Sequence, residues 1–369
     1  MLQNEPNWLS EYRKKNQIIL EQKPLKKSQY FDVTNLDEFL KINQNKTQIN
    51  LPKEIQDQNI KIITWSQALK EIPDKIKFIL EKEEPPKNQY EAFINACFNT
   101  GFIIIVKKDS PQRNLIKYKI NNTSNSIIKN IIIVEENIQD IKFLEHLEGE
   151  VNYLNQTLLI ENNSKVSFCR IFNLNEKSII NQQNLLEKDS ILKSSNAFLN
   201  GNFINTRIVN SLRASGANLE ELDISFLDKN QFFNLDLLSI HKASDAKSHS
   251  ILKAVLSQNS KNLFDGMIKI LPTGQKTNAL LQAHSLLLSK DASSNNIPSL
   301  EIEADDVKAT HSATVSNLDD DQLFYLESKG LSRQEARHII VKGFLENIIF
   351  KLPKEYIEPL SRLLEQKIK

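Results

Sequence analysis

The chain has 369 residues, of which 40% are hydrophobic and 25% are charged, the composition of an ordinary globular protein. Its 47 Lys and Arg residues nearly balance 46 Asp and Glu residues, so no global positive field favours nucleic acid or an anionic membrane. The eight glycines form neither G-x-G-x-x-G nor G-x-x-x-x-G-K-[ST], which excludes these phosphate-binding loops. A nucleotide, if one is used, is expected on a partner.

The sequence also predicts where the protein works. The N-terminus lacks the basic segment and apolar run of a signal peptide, and no run of about 18 apolar residues is available to cross a membrane. The two cysteines, Cys97 and Cys169, are far apart and match no disulfide or zinc spacing. We therefore expect a cytoplasmic protein.

The first part of the chain, residues 1–88, is predicted to be helical. Apolar residues with helical spacing near the N-terminus indicate one amphipathic helix: Trp8, Leu9, Tyr12, Ile19 and Leu20. A second helix is predicted over residues 64–82, although Pro73 should end or kink it. The charged segment 81–87 contains a double proline and therefore marks a boundary.

Residues 89–318 are predicted to form the β core. A short helix candidate at residues 89–98 is followed by many short strands with turns rich in Asn, Ser and Asp. The predicted strands cover residues 101–106, 115–120, 127–134, 141–147, 157–161, 165–171, 203–209, 218–226, 231–240, 249–256, 264–271 and 285–288. Strands without intervening helices are typical of a sandwich, a barrel or a solenoid, and the shortage of Asn-Gly turns modestly favours a parallel solenoid.

The last part, residues 319–369, returns to helical patterns. Asp319 with Gln322 indicates a capped helix start, and Gly330 indicates the end of that helix. Ser332 with Glu335 is a second capping box, which opens a helix from Arg333 to about residue 352. Its apolar residues recur at helical spacing: Ala336, Ile339, Ile340, Phe344, Leu345, Ile348, Ile349 and Leu352. Pro353 stops it, and a last amphipathic helix covers residues 356–369.

His311 is the strongest candidate for a metal-binding or acid-base residue. An extended strand here would place alternating residues on one face: Val307, Ala309, His311, Ala313 and Val315. Acidic residues precede this row: Glu301, Glu303, Asp305 and Asp306. Two interpretations stay open at this point. In the first, His311 has a chemical role, as a metal or cluster ligand or as an acid-base group. In the second, it is a buried histidine that is hydrogen-bonded to the backbone.

The remaining candidates have simpler interpretations. His241, His249 and His284 lie among the strands and are each interpreted as structural or solvent-facing. Cys97 and Cys169 are interpreted as small core residues rather than nucleophiles. The three carboxylates at residues 319–321 are explained by helix capping, and no hydrolase elbow or His-Glu-x-x-His pair occurs.

Several blocks of the sequence resemble one known family. They are NLFDGMIKILPTGQKTNA at residues 262–279, LLLSKDA at 286–292, LEIEADDVKATHSATV at 300–315 and LFYLESKG at 323–330. In order and spacing they resemble the SufB/SufD family of iron-sulfur cluster assembly proteins, most closely SufD. Ile302 stands where the SufB scaffold usually has a cysteine, and KATHSAT at 308–314 lacks the cysteine of many SufD proteins while keeping His311.

The resemblance implies a fold and a set of partners. The fold would be a right-handed parallel β-helix flanked by N- and C-terminal helical regions. The chain would be a non-catalytic bacterial subunit that pairs with a SufB-like scaffold and binds a SufC-like ABC-type ATPase. His311 would be an interfacial ligand for iron or a transient iron-sulfur cluster. The residues expected at or supporting the ATPase contact are Leu323, Phe324, Tyr325, Leu326, Gly330, Leu331, Ala336 and Phe344.

Alternatives to this assignment stay open. The chain could be the SufB-type scaffold itself, or a β-helix enzyme that acts on carbohydrate. A homodimer that forms when SufB is absent is a further option. No nucleic acid or membrane partner is expected.

Overall fold

The computed structural model describes residues 5–22, 59–108, 115–121 and 126–368. Its strands are β1 (Ile60–Thr64), β2 (Phe102–Val106), β3 (Leu115–Asn121), β4 (Ile127–Val134), β5 (Ile141–Gly149), β6 (Tyr153–Ile160), β7 (Lys165–Leu174), β8 (Lys177–Leu186), β9 (Ile191–Asn200), β10 (Phe203–Leu212), β11 (Asn218–Leu227), β12 (Phe232–His241), β13 (Lys247–Leu256), β14 (Lys261–Ile270), β15 (Asn278–Leu287), β16 (Ser293–Ile302) and β17 (Lys308–Asn317). The helices are α1 (Asn7–Gln22), α2 (Trp65–Glu71), α3 (Pro73–Lys82), α4 (Gln89–Cys97), α5 (Asp320–Ser328), α6 (Arg333–Ile349) and α7 (Lys354–Ile368).

Successive strands alternate between two sheets, so each coil of the chain adds one strand to each sheet. The nine-stranded sheet has the order β1-β2-β4-β6-β8-β10-β12-β14-β16, and the eight-stranded sheet runs from β17 through the odd-numbered strands to β3. Neighbouring strands such as β10 and β12 are parallel and in register, whereas β1 pairs antiparallel with β2. The predicted parallel β-solenoid with helices at both ends is confirmed, and its right-handed sense stays a prediction.

The turns explain how a solenoid forms with so few glycines. Asn163, Asp189 and Asp245 adopt left-handed backbone conformations with φ of 62°, 55° and 60°. Short polar side chains tolerate this conformation better than other non-glycine residues do. The Asn- and Asp-rich turns of the sequence thus take the place of glycine turns.

Aromatic and aliphatic residues fill most of the solenoid interior. Phe172 stacks on Phe198 with ring centroids 4.2 Å apart, and Phe198 lies 4.1 Å from Phe233 on the facing sheet. The outer faces are covered by helices. Helices α1 to α4 pack on the first strands of the nine-stranded sheet, and α6 and α7 pack on the eight-stranded sheet. The Tyr356 hydroxyl of α7 donates a 2.9 Å hydrogen bond to the Ser167 carbonyl of β7.

Several predicted elements require correction. A single helix over residues 64–82 is wrong, because strand β1 ends at Thr64, which caps α2 through a capping box with Gln67. Pro73 opens the separate helix α3, where its missing N–H is harmless. The strands β1, β8, β9 and β16 were not predicted. Much of the predicted N-terminal helical region, residues 1–4 and 23–58, lies outside the described residues.

The C-terminal helix starts are close to the prediction. Asp319 caps α5 by accepting from the Asp321 N–H rather than through a box with Gln322. The box between Ser332 and Glu335 is confirmed at the start of α6. Helix α6 ends at Ile349, and α7 begins immediately after Pro353. The division of the chain at residues 88 and 318 stays a prediction.

Candidate functional site

The last coil of the solenoid leaves one strand of each sheet at an edge. Among the described strands, β16 is the last of the nine-stranded sheet and pairs only with β14, while β17 ends the eight-stranded sheet and pairs only with β15. An edge strand presents unpaired backbone N–H and C=O groups along one side. This open end can therefore accept further strands.

His311 lies on β17 at this open end. It is in register with Leu281 of β15, whose buried side chain belongs to the solenoid interior. Residues in register on successive strands form a column, and His311 lies in the same inward-facing column as Leu281. His311 is nevertheless exposed, because no described coil follows β17. The interpretation of His311 as a buried histidine is therefore wrong.

Apolar side chains surround the open end. Ile302 of β16 is in register with buried Ile270 and is itself exposed. Val315 of β17 is in register with Ser285 of β15 and is 47% exposed. Inward-facing apolar residues that remain open to water favour an interface.

The acidic residues near His311 are partly engaged elsewhere. Lys269 Nζ lies 2.6 Å from Glu301 Oε1 and 3.6 Å from Glu303 Oε1. Among the described residues, no group of three or more His, Cys, Asp and Glu is arranged to hold a metal ion. Within the same part of the chain, the His311 side chain has no hydrogen-bond or ion-pair partner. Its imidazole is left available to an external ligand.

The other predicted candidates have structural surroundings. His241 is buried between the hydroxyls of Ser248 and Thr277, and burial lowers its pKa to about 4. On the outer face of the sheet, His284 Nδ1 lies 2.8 Å from Thr314 Oγ1 and the two atoms share a hydrogen bond. Burial lowers the pKa of His284.

The two cysteines also lie in packed surroundings. Cys169 is buried beneath the C-terminal helices, and burial raises its pKa to about 12. Cys97 is half-buried against the N-terminal helices, and burial raises its pKa as well. A thiol with a raised pKa is a poor nucleophile at neutral pH.

The predicted ATPase-binding residues divide by burial. Phe324 and Tyr325 on α5 are 72% and 60% exposed. Leu323 and Ala336 are buried, so they support the helices rather than present a surface. Among the rest, Gly330 is exposed, whereas Leu326, Leu331 and Phe344 are half-buried. Two further exposed apolar residues lie outside the predicted set: Ile339 on α6 and Phe350 at the end of α6.

Sequence reasoning missed a polar network inside the middle coils. Arg170 donates to Glu145 and, at 2.7 Å, to Gln182. The network continues at 2.6 Å from Asn210 to Glu221. The sequence feature that could have revealed this network is the polar run NQQN within β8, because alternate side chains of a strand point inward.

Comparisons with known proteins identify the family. The family model for the SufBD core domain of the SUF system of iron-sulfur cluster assembly matches residues 118–344. This range includes β17 and most of α6. The chain belongs to the SufBD family.

The curated relatives agree with the SufBD assignment. An iron-sulfur cluster assembly SufBD family protein of Staphylococcus saprophyticus is 25% identical over 331 residues, which cover 86% of this chain and 70% of the relative. The iron-sulfur cluster assembly protein SufB of Bacillus subtilis is 24% identical over 332 residues with the same coverage. A SufBD family protein of Synechocystis is 23% identical over 335 residues. In the described part of this SufBD chain, no helix is long and apolar enough to cross a membrane.

Proposed function

We propose that the chain is a SufD-like subunit of a cytoplasmic SufBCD-type complex. In this role it pairs with a SufB-like scaffold through the open end of the solenoid and binds a SufC-like ATPase through its C-terminal helices. The subunit itself catalyses no reaction, and ATP hydrolysis belongs to the partner. A nascent iron-sulfur cluster is the cargo of the complex.

The observation that carries the proposal is the open end around His311. Two edge strands and an exposed inward-facing column form a surface that a second solenoid end would complete. A scaffold whose own solenoid ends in the same way would continue both sheets. Strand pairing would then place partner side chains directly opposite the β17 column.

The possible metal ligands at this end support a cluster site that is shared with the partner. A neutral imidazole is a competent iron ligand, whereas clusters are held mainly by thiolates. Ile302 provides no thiolate where the scaffold would have one, and the described cysteines lie against helical cover away from β16 and β17. His311 can thus supply one ligand while the partner supplies the thiolates.

The C-terminal helices have features expected of a coupling element. Phe324 and Tyr325 form an exposed aromatic pair on α5, the helix that follows β17 directly in the chain. Lys253 of β13 bonds to the Phe344 carbonyl and, at 2.5 Å, to Asn347 of α6. An ATPase that binds the exposed aromatic pair would therefore transmit its movement to the solenoid through packed helices.

The scaffold role is the second candidate, because one of the curated relatives is a SufB protein. The two roles differ in whether the isolated chain retains a cluster. Anaerobic reconstitution of the isolated chain with iron and sulfide distinguishes them, since a stable visible chromophore would favour the scaffold role. The family match favours cluster assembly over a carbohydrate-active enzyme.

The test of the proposed site compares two histidines in the reconstituted complex. His311→Ala is expected to lower cluster formation by roughly tenfold or more, the usual effect of weakening a metal site. His284→Ala is the matched control, because His284 lies on the outer face of the neighbouring strand. Cluster formation is followed by visible absorbance under anaerobic conditions. Unchanged cluster formation in His311→Ala would show that the proposed role is wrong.

A further inference from the structure

A basic cleft lies beside the C-terminal helices. It has a volume of about 370 Å³ and forms where the turn between α6 and α7 meets the first residues of β5, β7 and β9. The cleft is lined by Asp140, Glu355 and five lysines. The lysines are Lys142, Lys165, Lys193, Lys351 and Lys354. The whole chain has a net charge of only +1, so this concentration of positive charge is local.

The carboxylates at the cleft neutralise only part of this charge. Lys142 lies 2.8 Å from Glu355 and 3.7 Å from Asp140, so it engages both of them. Lys193 is paired outside the cleft lining, with Glu220 at 3.2 Å. The other three lysines have no acidic partner among the described residues: Lys165, Lys351 and Lys354.

The surroundings of the cleft show the unbalanced charge. His249 and Lys253 on β13, two strands along the sheet from β9, both have lowered pKa values, first because of burial and then because of the positive charge of Lys351. Helix α7 begins at Lys354 beside the cleft, and a helix N-terminus adds positive potential. An anion would therefore relieve repulsion among groups that are already in place.

We propose that the cleft binds a phosphate or polyphosphate group. Among the described residues that line it there is no arginine, so its positive charge comes from lysines rather than from the planar fork that binds carboxylate or phosphate in a bidentate way. Lysine ammonium groups act as point charges that suit the several oxygens of a phosphate, and helix N-termini bind phosphate readily. The volume accommodates more than one phosphate group. The group belongs either to an inorganic polyphosphate or to a nucleotide.

The test measures binding to the full chain by isothermal titration calorimetry at low, constant ionic strength. Inorganic pyrophosphate and ATP are titrated separately, with sulfate as the control anion. Saturable binding of pyrophosphate that exceeds sulfate binding is expected. ATP binding no tighter than pyrophosphate assigns the site to an inorganic polyphosphate, whereas tighter ATP binding assigns it to a nucleotide.

Two double variants with the same change in net charge complete the test. Lys351→Gln with Lys354→Gln removes two exposed lysines from the cleft and should weaken pyrophosphate binding about tenfold, the value of one charged hydrogen bond. Lys14→Gln with Lys70→Gln removes two exposed lysines from α1 and α2 and should leave binding unchanged. The proposal is overturned if pyrophosphate binds no better than sulfate, or if both double variants bind it equally.

Discussion

The middle coils and the last coil of the solenoid use the same inward-facing columns but cover them differently. In the middle coils these columns hold even charged residues at complete burial, as Glu145 and Arg170 show. In the last coil, inward-facing residues such as His311 and Val315 are open to water, although the column of His311 holds the fully buried Glu221 in a middle coil. The middle of the solenoid is therefore complete by itself, whereas its end is open, as the proposed pairing with a partner requires.

The largest expected effect lies in the middle coils. Arg170→Met would leave Glu145 as an unpaired buried charge and should lower the free energy of unfolding by about 3–5 kcal/mol. Lys308→Met in the last coil removes an exposed lysine and should change it by less than about 0.5 kcal/mol. Urea denaturation followed by circular dichroism measures both. Equal stability of the two variants would contradict the difference between the coils.

Two residues in one column provide a closer comparison. Leu281→Ala removes a buried side chain and should cost about 2–5 kcal/mol of unfolding free energy. His311→Ala, one coil further along, should stay within about 0.5 kcal/mol of the original chain. The same denaturation experiment applies. A large loss of stability in His311→Ala would mean that His311 is a core residue after all.

The buried acids of the middle coils predict a dependence on pH. Burial raises the pKa of Asp223 to about 7, and burial beside Asp223 raises that of Glu221 well above its usual range. The folded chain thus holds these protons more tightly than the unfolded chain does. The resulting stabilisation is complete below the usual carboxyl pKa of about 4 and is lost as the pH rises through 7.

Asp223→Asn tests this dependence, because the amide oxygen can still accept from the Asn196 side chain. The variant should gain roughly 1–3 kcal/mol over the original chain at pH 8 and little at pH 4. Unfolding free energies measured across this range give the comparison. A difference between the two chains that does not change with pH would exclude the titration of this pair.

The smallest effect on stability is expected at the exposed aromatic pair. Phe324→Ala with Tyr325→Ala should change the unfolding free energy by less than about 0.5 kcal/mol, because both side chains are exposed. Co-purification of a SufC-like ATPase should nevertheless fall severalfold. Leu323→Ala is the contrasting variant, since it removes a buried contact and should destabilise the chain. Full ATPase retention by the double variant would remove these residues from the proposed contact.

The sequence predicted those strands whose apolar residues alternate or run together. It missed β8, β9 and β16, because polar side chains occupy inward-facing positions there and break the hydrophobic pattern. The alternation around His311 correctly placed it on a strand with small apolar neighbours. Its exposure could not be read from that pattern, because burial depends on whether another coil follows. The proposed partners came from the family resemblance, because strand patterns carry no information about partners.

The most direct test of the open end compares two substitutions at equally exposed apolar residues. Val315 on β17 and Ile339 on α6 are each 47% exposed. The measurement is co-purification of a SufB-like scaffold with Val315→Glu and with Ile339→Glu. We predict that Val315→Glu loses the scaffold because a charge enters the joined solenoid ends, whereas Ile339→Glu retains it. Scaffold retention by Val315→Glu at the level of the original chain would contradict an interface at the last coil.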